Sequence, residues 1–167
     1  MDIEIKDMET EDEIRGKAYV HWRSWHDTYP GLVSPEYLEK LTLEKCEETA
    51  FRWPGNLLVA KDKDRVVGFI GYGQSTEEPE DGEIFALYVL SEYLGKGIGR
   101  RLMDAGLEKL KAYPKVHVWL LKENRRAYGF YEKCGFSADG QEKLSPSVKA
   151  VGIRMTLENK DHIIYEE

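Results

Sequence analysis

Apolar and polar positions alternate in IEIKDM (3–8), which predicts a strand with one covered face. From Thr10 the period lengthens. Ile14, Ala18, Trp22 and Trp25 recur at helical spacing, and Thr10 with Glu13 fits a capping box. Pro30-Gly31 ends that helix, and Ser34-Pro35 reads as the N-cap and first residue of a second helical stretch running to about Arg52. Beyond Trp53-Pro54-Gly55 the pattern turns to strands: LLVAKD (57–62) and RVVGFIGYG (65–73), joined by a short charged link as in a hairpin.

TEEPEDG (76–82) is an acidic turn, and EIFALYVL (83–90) is nearly continuously apolar, as a strand covered on both faces should be. Gly99, Leu102, Met103, Gly106, Leu107 and Leu110 then follow helical spacing. KVHVWLL (115–121) is again a strand. NRRAYGFYEKCGF reads as a short helix with Asn124 as N-cap and Gly135 as its stop, and SADGQEKL and VGIRMTLE complete the set as two strands. The order βααβββαβαββ predicts an α/β fold of the α+β kind, a mixed sheet with helices on both faces, in a single domain over residues 1–167.

Composition narrows the function. Net charge is −7, from 24 basic and 31 acidic residues, a balance unsuited to general attraction to nucleic acid or to anionic membrane. Cys46 and Cys134 are too few for a disulfide framework, and no Cys/His spacing of a structural metal site occurs. The acidic start MDIEIKDMETEDE lacks the features of a signal peptide, and no run of about 18 apolar residues is present. A cytoplasmic protein, monomeric or homodimeric, is the expectation.

Against that acidic background, Gly95 to Arg101 holds three glycines and the cations Lys96, Arg100 and Arg101, directly after the apolar strand. A strand entering a helix through such a turn gathers unpaired backbone N–H groups, and glycines let a ligand come close to them. The cations crowd the positive end of a helix dipole, where a bound anion would reverse their cost. The P-loop pattern GxxxxGK[ST] is absent. A Rossmann turn stays open as an alternative: Gly95 and Gly97 fit its first two glycines, and Glu123 sits where a ribose-binding acid is expected. Arg100, however, occupies the third glycine position, and about 80 residues precede the unit.

Two motifs together carry a resemblance. Leu94-Gly95-Lys96-Gly97-Ile98-Gly99 is similar to the [QR]-x-x-G-x-[GA] phosphate loop of the GNAT superfamily of acetyl-CoA-dependent N-acetyltransferases, with Leu94 in place of the usual Gln or Arg. N-x-x-A-x-x-F-Y-x-K-x-G-F is present in full from Asn124 through Ala127, Phe130, Tyr131, Lys133, Gly135 and Phe136. The predicted element order also matches, and WRSWHDTYPGLVSPEYL resembles the front helices of small-molecule members, polyamine-acetylating ones included.

The resemblance implies that acetyl-CoA lies where strands 83–90 and 115–121 splay apart. Its pyrophosphate would meet the loop that starts at Leu94, on the N–H groups of Gly95, Lys96, Gly97, Ile98, Gly99 and Arg100. Its pantetheine arm would lie along Leu87, Tyr88 and Val89 as an added strand does, closed from the other side by Asn124, Ala127 and Tyr131. Transfer to a primary amine needs a base, a donor to the oxyanion and an acid for the leaving thiolate. Tyr131 would be the acid, and Glu83 the base, directly or through water, as is the strand-opening glutamate of histone-acetylating members. The N–H of Leu87 would meet the oxyanion. Trp25, Asp27 and Tyr29 would form the acceptor pocket, although core packing explains the aromatics equally well. Cys134 suggests a covalent route, but no histidine lies near it in sequence and it falls in a helix stripe. A non-catalytic acyl-CoA sensor would use the same loop without an acceptor.

Overall fold

The computed structural model describes residues 1–159. Its elements run β1 (Ile3–Asp7), α1 (Glu11–Thr28), α2 (Pro35–Lys40), α3 (Leu43–Arg52), β2 (Leu57–Asp62), β3 (Arg65–Gln74), β4 (Gly82–Val89), α4 (Ile98–Lys109), β5 (Lys115–Leu121), α5 (Arg125–Lys133), β6 (Ser137–Ser145) and β7 (Ala150–Glu158), with a 3-10 turn at Ser91–Tyr93. The expected order is corrected at one place: the second helical stretch is two helices. The N–H of Leu41 closes α2 onto the carbonyls of Leu38 and Tyr37, and the Thr42 hydroxyl starts α3 by accepting from the Lys45 N–H at 3.2 Å. A threonine hydroxyl competes with the helix ladder for backbone donors, so it breaks a run that its apolar neighbours would carry on.

The capping box of α1 forms as expected. The Glu13 N–H donates to Thr10 Oγ1 and the Thr10 N–H to Glu13 Oε1, both at 3.1 Å. Glu13 is buried, and the ammonium groups of Lys6 (2.7 Å) and Lys61 (3.0 Å) close on its carboxylate. Burial opposes the charge, but bonds from Lys6, from the Glu9 and Thr10 amides and from Lys61 hold the carboxyl well below the usual range. One residue thus ties β1, α1 and β2 together.

The seven strands form one sheet in the order β1-β2-β3-β4-β5-β7-β6, antiparallel except where β4 meets β5. Helices cover both faces. On one face α1 comes so close that a Cβ on Gly16 would lie 2.6 Å from the Val66 side chain, and Lys17 and His21 sit over Phe69. On the other, a Cβ on Gly106 of α4 would lie 2.7 Å from Ile70 Cδ1 and 3.6 Å from Ile84 Cδ1. Between them is the main core, with Val59, Phe69, Ile70, Ile84, Leu102, Met103 and Met155 almost wholly buried.

Two irregularities shape the middle of the sheet. Across β3 and β4, Gly71 pairs with Ala86 but Tyr72 with Ile84, so Phe85 is an extra residue in β4. A bulge reverses the alternation of faces. It places Glu83, opposite Gly73, on the α1 side with Ala86 and Tyr88, although Glu83 and Tyr88 are an odd number of positions apart. The parallel seam between β4 and β5 is also short: Gly82, Glu83 and Ile84 pair with Val116, His117 and Val118, and from there the strands diverge. The splayed pair that the family resemblance implies is present.

Candidate active site

The divergence opens a cavity of about 410 Å³ whose walls are the Phe85–Val89 edge of β4, Val118–Leu120 of β5, the turn before α4 and the start of α5. Leu94, Gly95, Gly97, Ile98, Gly99 and Arg100 line one end. Gly95 and Gly97 have φ of 76° and 80°, a left-handed conformation that glycine adopts without strain, and Gly97 is the N-cap of α4. Chain neighbours aside, no atom of the described residues lies within 4 Å of where a Cβ on either would stand, so the bare backbone faces open space. Lys96 is exposed at the turn and lies outside the cavity lining, which leaves Arg100 and Arg126 as the cations in the wall.

From the opposite side, Asn124 caps α5, its Oδ1 accepting from the Ala127 N–H at 3.2 Å. This orients the helix so that Ala127, Phe130 and Tyr131 face the cavity. Tyr131 is 7 % exposed, and burial, with Tyr29 and Cys134 nearby, pushes its phenol well up. It therefore stays protonated at neutral pH. Tyr88, on the strand edge, is shifted the same way by burial and by Tyr29, whose hydroxyl is 3.2 Å from its own.

Leu87, Tyr88, Val89, Asn124, Ala127 and Tyr131 thus converge with the glycine turn on one cavity, and Tyr29 joins them. Glu83 stands apart, on the closed part of the seam beside His117 and outside the cavity lining. It is 7 % exposed, and its Oε1 has no hydrogen-bond partner among the described residues. Burial raises its pKa, and the Glu77 charge adds to this against the opposing effects of Ser75, Lys143 and His117. Trp25 packs edge-on against Tyr29 at 4.6 Å, beside a small cluster of Val33, Leu38 and Val148, where the Ser34 N–H bonds the Val148 carbonyl at 2.7 Å. Asp27 pairs with Arg23 at 3.4 Å. Neither Trp25 nor Asp27 lines the cavity.

Cys134 also lies outside the lining, and burial raises its thiol against the pull of Arg100. Cys46 is fully buried, its thiol pushed up to about 11 by burial. Neither is a ready nucleophile.

Other features were not anticipated. Ser24, Thr28, Phe85 and Trp119 also line the cavity. The acidic turn before β4 is pinned beside it: Trp119 Nε1 donates to Glu77 at 2.7 Å, and His117 Nε2 lies 2.7 Å from Asp81 and 2.9 Å from Glu78. Arg154 bridges Glu78 to Asp139. Glu78, Asp81 and His117 bring metal-capable atoms within 4.8 Å of one another, a grouping that spacing along the chain did not show.

Residues 19–136 match the acetyltransferase (GNAT) family. An uncharacterized N-acetyltransferase of Bacillus subtilis, YuaI, is 31% identical over 162 residues, covering 90% of this chain and 91% of that protein. A spermidine N(1)-acetyltransferase of Thermoplasma acidophilum is 29% identical over 150 residues, 83% of this chain and 91% of the relative. The crystal structure of the PaiA N-acetyltransferase from Thermoplasma acidophilum in complex with coenzyme A superposes with a TM-score of 0.74 at 25% identity, covering 95% of this chain and 99% of that one. The open strand edge and the bare glycine turn fit an acyl-CoA, giving its arm a backbone to lie along and its pyrophosphate a set of donors. The chain belongs to the acetyltransferase (GNAT) family and is an acetyl-CoA-dependent N-acetyltransferase.

Proposed function

We propose that this enzyme transfers the acetyl group to a primary amine by direct attack, with Tyr131 as general acid. The observation that carries this reading is the convergence of an unpaired strand edge, a left-handed glycine turn and a buried, protonated tyrosine on one cavity. In this reading the N–H groups of residues 95–100 hold the pyrophosphate. The edge at Leu87, Tyr88 and Val89 holds the arm, and Asn124 and Ala127 flank it. The Leu87 N–H stabilises the carbonyl oxygen as negative charge builds on it. Tyr131 gives its proton to the departing sulfur and regains one from solvent, while Cys134 takes no part.

Glu83 receives the proton released by the amine. The bulge at Phe85 turns it to the same side of the sheet as Tyr88, and its position on the closed seam favours relay through water over direct contact. Its raised pKa narrows the gap to an ammonium group. The acceptor enters from the α1 side, past Tyr29. The name of the spermidine-acetylating relative and the acidic groups Glu77 and Glu83 both favour a cationic amine. We take the chain as one domain working in the cytoplasm as a monomer or homodimer.

A panel of polyamines, amino acids and aminoglycosides, with release of free thiol as the readout, tests this reading. Thiol release with at least one cationic primary amine is expected. Coenzyme binding with no transfer to any amine would instead favour the non-catalytic sensor.

A further inference from the structure

Among the described residues, three buried side-chain polar atoms have no hydrogen-bond partner: His21 Nδ1, Ser24 Oγ and Glu83 Oε1. A buried polar group without a partner is costly, and such groups are few in native folds. His21 stacks over Tyr88, and burial with the neighbouring Lys17 charge lowers it to about 4, so it is neutral. Glu83 already has a proposed role. Ser24 has none, and of the three it alone lines the coenzyme cavity.

Its situation is unusual for a helical serine. Ser24 lies inside α1 and is 6 % exposed. A serine there ordinarily returns its hydroxyl to the carbonyl four residues back, here that of Val20, and this bond is not made. The helix cannot easily shift to make another. On one side of Ser24, Arg23 is locked to Glu92 by bonds of 2.6 and 2.8 Å. One turn further on, Thr28 and Tyr29 line the same cavity. The hydroxyl has three staggered positions, so a ligand in the cavity can select the one that meets it.

We infer that Ser24 is a coenzyme-binding residue whose hydroxyl donates to a carbonyl oxygen of the bound acyl-CoA. Two carbonyl sources share this chemistry, the amides of the pantetheine arm and the acyl group itself. The inference rests on the seating of the coenzyme between β4 and β5 proposed above.

The test measures the affinity of wild type, Ser24→Ala and Gly97→Val for CoA and for acetyl-CoA by titration calorimetry, with melting temperatures taken without ligand. Ser24→Ala removes an unpaired buried group and adds a better helix former. The ligand-free protein should therefore melt at the wild-type temperature or a few degrees higher. Its affinity should nevertheless fall by about three- to tenfold. An equal fall for CoA and acetyl-CoA assigns the arm, and a fall for acetyl-CoA alone assigns the acyl carbonyl. A purely structural serine would instead lower the melting temperature and leave affinity unchanged, and either result overturns the inference. Gly97→Val tests the seating beneath it. If that variant binds as wild type, the coenzyme sits elsewhere. If it binds weakly while Ser24→Ala binds normally, the seating stands and Ser24 is excluded.

Discussion

Tyr131 and Glu83 are both about nine-tenths buried, yet burial serves them differently. In the proposed mechanism, burial of the phenol would preserve its proton until negative charge appears on the sulfur. For the carboxyl, burial raises the pKa, and in the same mechanism this would bring its basicity toward that of the acceptor amine. Tyr131→Phe should keep coenzyme affinity and lower kcat by roughly two orders of magnitude in stopped-flow or steady-state thiol assays. In Glu83→Gln the acidic limb of the kcat/KM profile, which in wild type lies above the ordinary glutamate range, should disappear. Normal turnover in either variant would remove the assigned role. Glu13 is the opposite case, a carboxyl held below its usual range. Its stabilising contribution is complete above the unfolded value and fades as pH falls toward the folded one. Glu13→Gln should therefore cost on the order of 3 kcal/mol at pH 7, with the gap to wild type closing as denaturation is measured at progressively lower pH below about 4.

Among the elements, the helices approach the sheet at small residues, and the two contacts differ in how they can give. A methyl at position 106 would meet the tip of Ile70, which can swing. A methyl at position 16 would meet the branched carbons of Val66, which cannot. Gly16→Ala should thus lower stability by about 1–2 kcal/mol in denaturant titration, since overpacking outweighs the gain in helix propensity. The same scale shows what the sequence could reveal. The glycine turn, the Asn124 cap and the Tyr131 helix were legible because each is a contiguous pattern with a local physical cause. The break at Thr42 was hidden inside a continuous apolar period. The bulge at Phe85 left no mark, because an extra residue within the apolar run that follows Glu83 changes no pattern. The pinned acidic turn was equally hidden: Glu78, Asp81, His117, Asp139 and Arg154 come together only once four separate segments have folded. Trp25 and Asp27, expected in an acceptor pocket, each meet the residue one helical turn away, Tyr29 and Arg23, and lie outside the coenzyme cavity lining.

At the scale of the whole molecule, the acidic net charge suits a cationic acceptor but says little about the coenzyme, which is anionic and relies on a local positive site. In the proposed seating, Arg100 and Arg126 in the cavity wall, with the N-terminus of α4, would supply it. Coenzyme at a hundredfold excess over its Kd should add about 2.7 kcal/mol to stability, readable as a rise in melting temperature. Nicotinamide and flavin dinucleotides at the same concentration should leave it unchanged, which separates this fold from a Rossmann unit.

The short β4–β5 seam has a mechanical consequence. Four strands on one side and three on the other are joined across the sheet by three residue pairs, so the two halves are hinged at one end and open at the other. A ligand seated at the open end as proposed would supply the missing rungs and make one stiff body of the two. Amide exchange along Phe85–Val89 should slow on adding CoA, while exchange in β1 and β6, at the outer rims, should stay as it was. The enzyme would then be at its most rigid when loaded and loosest just after the spent thiol departs, so the sheet itself would report where in the catalytic cycle the molecule stands.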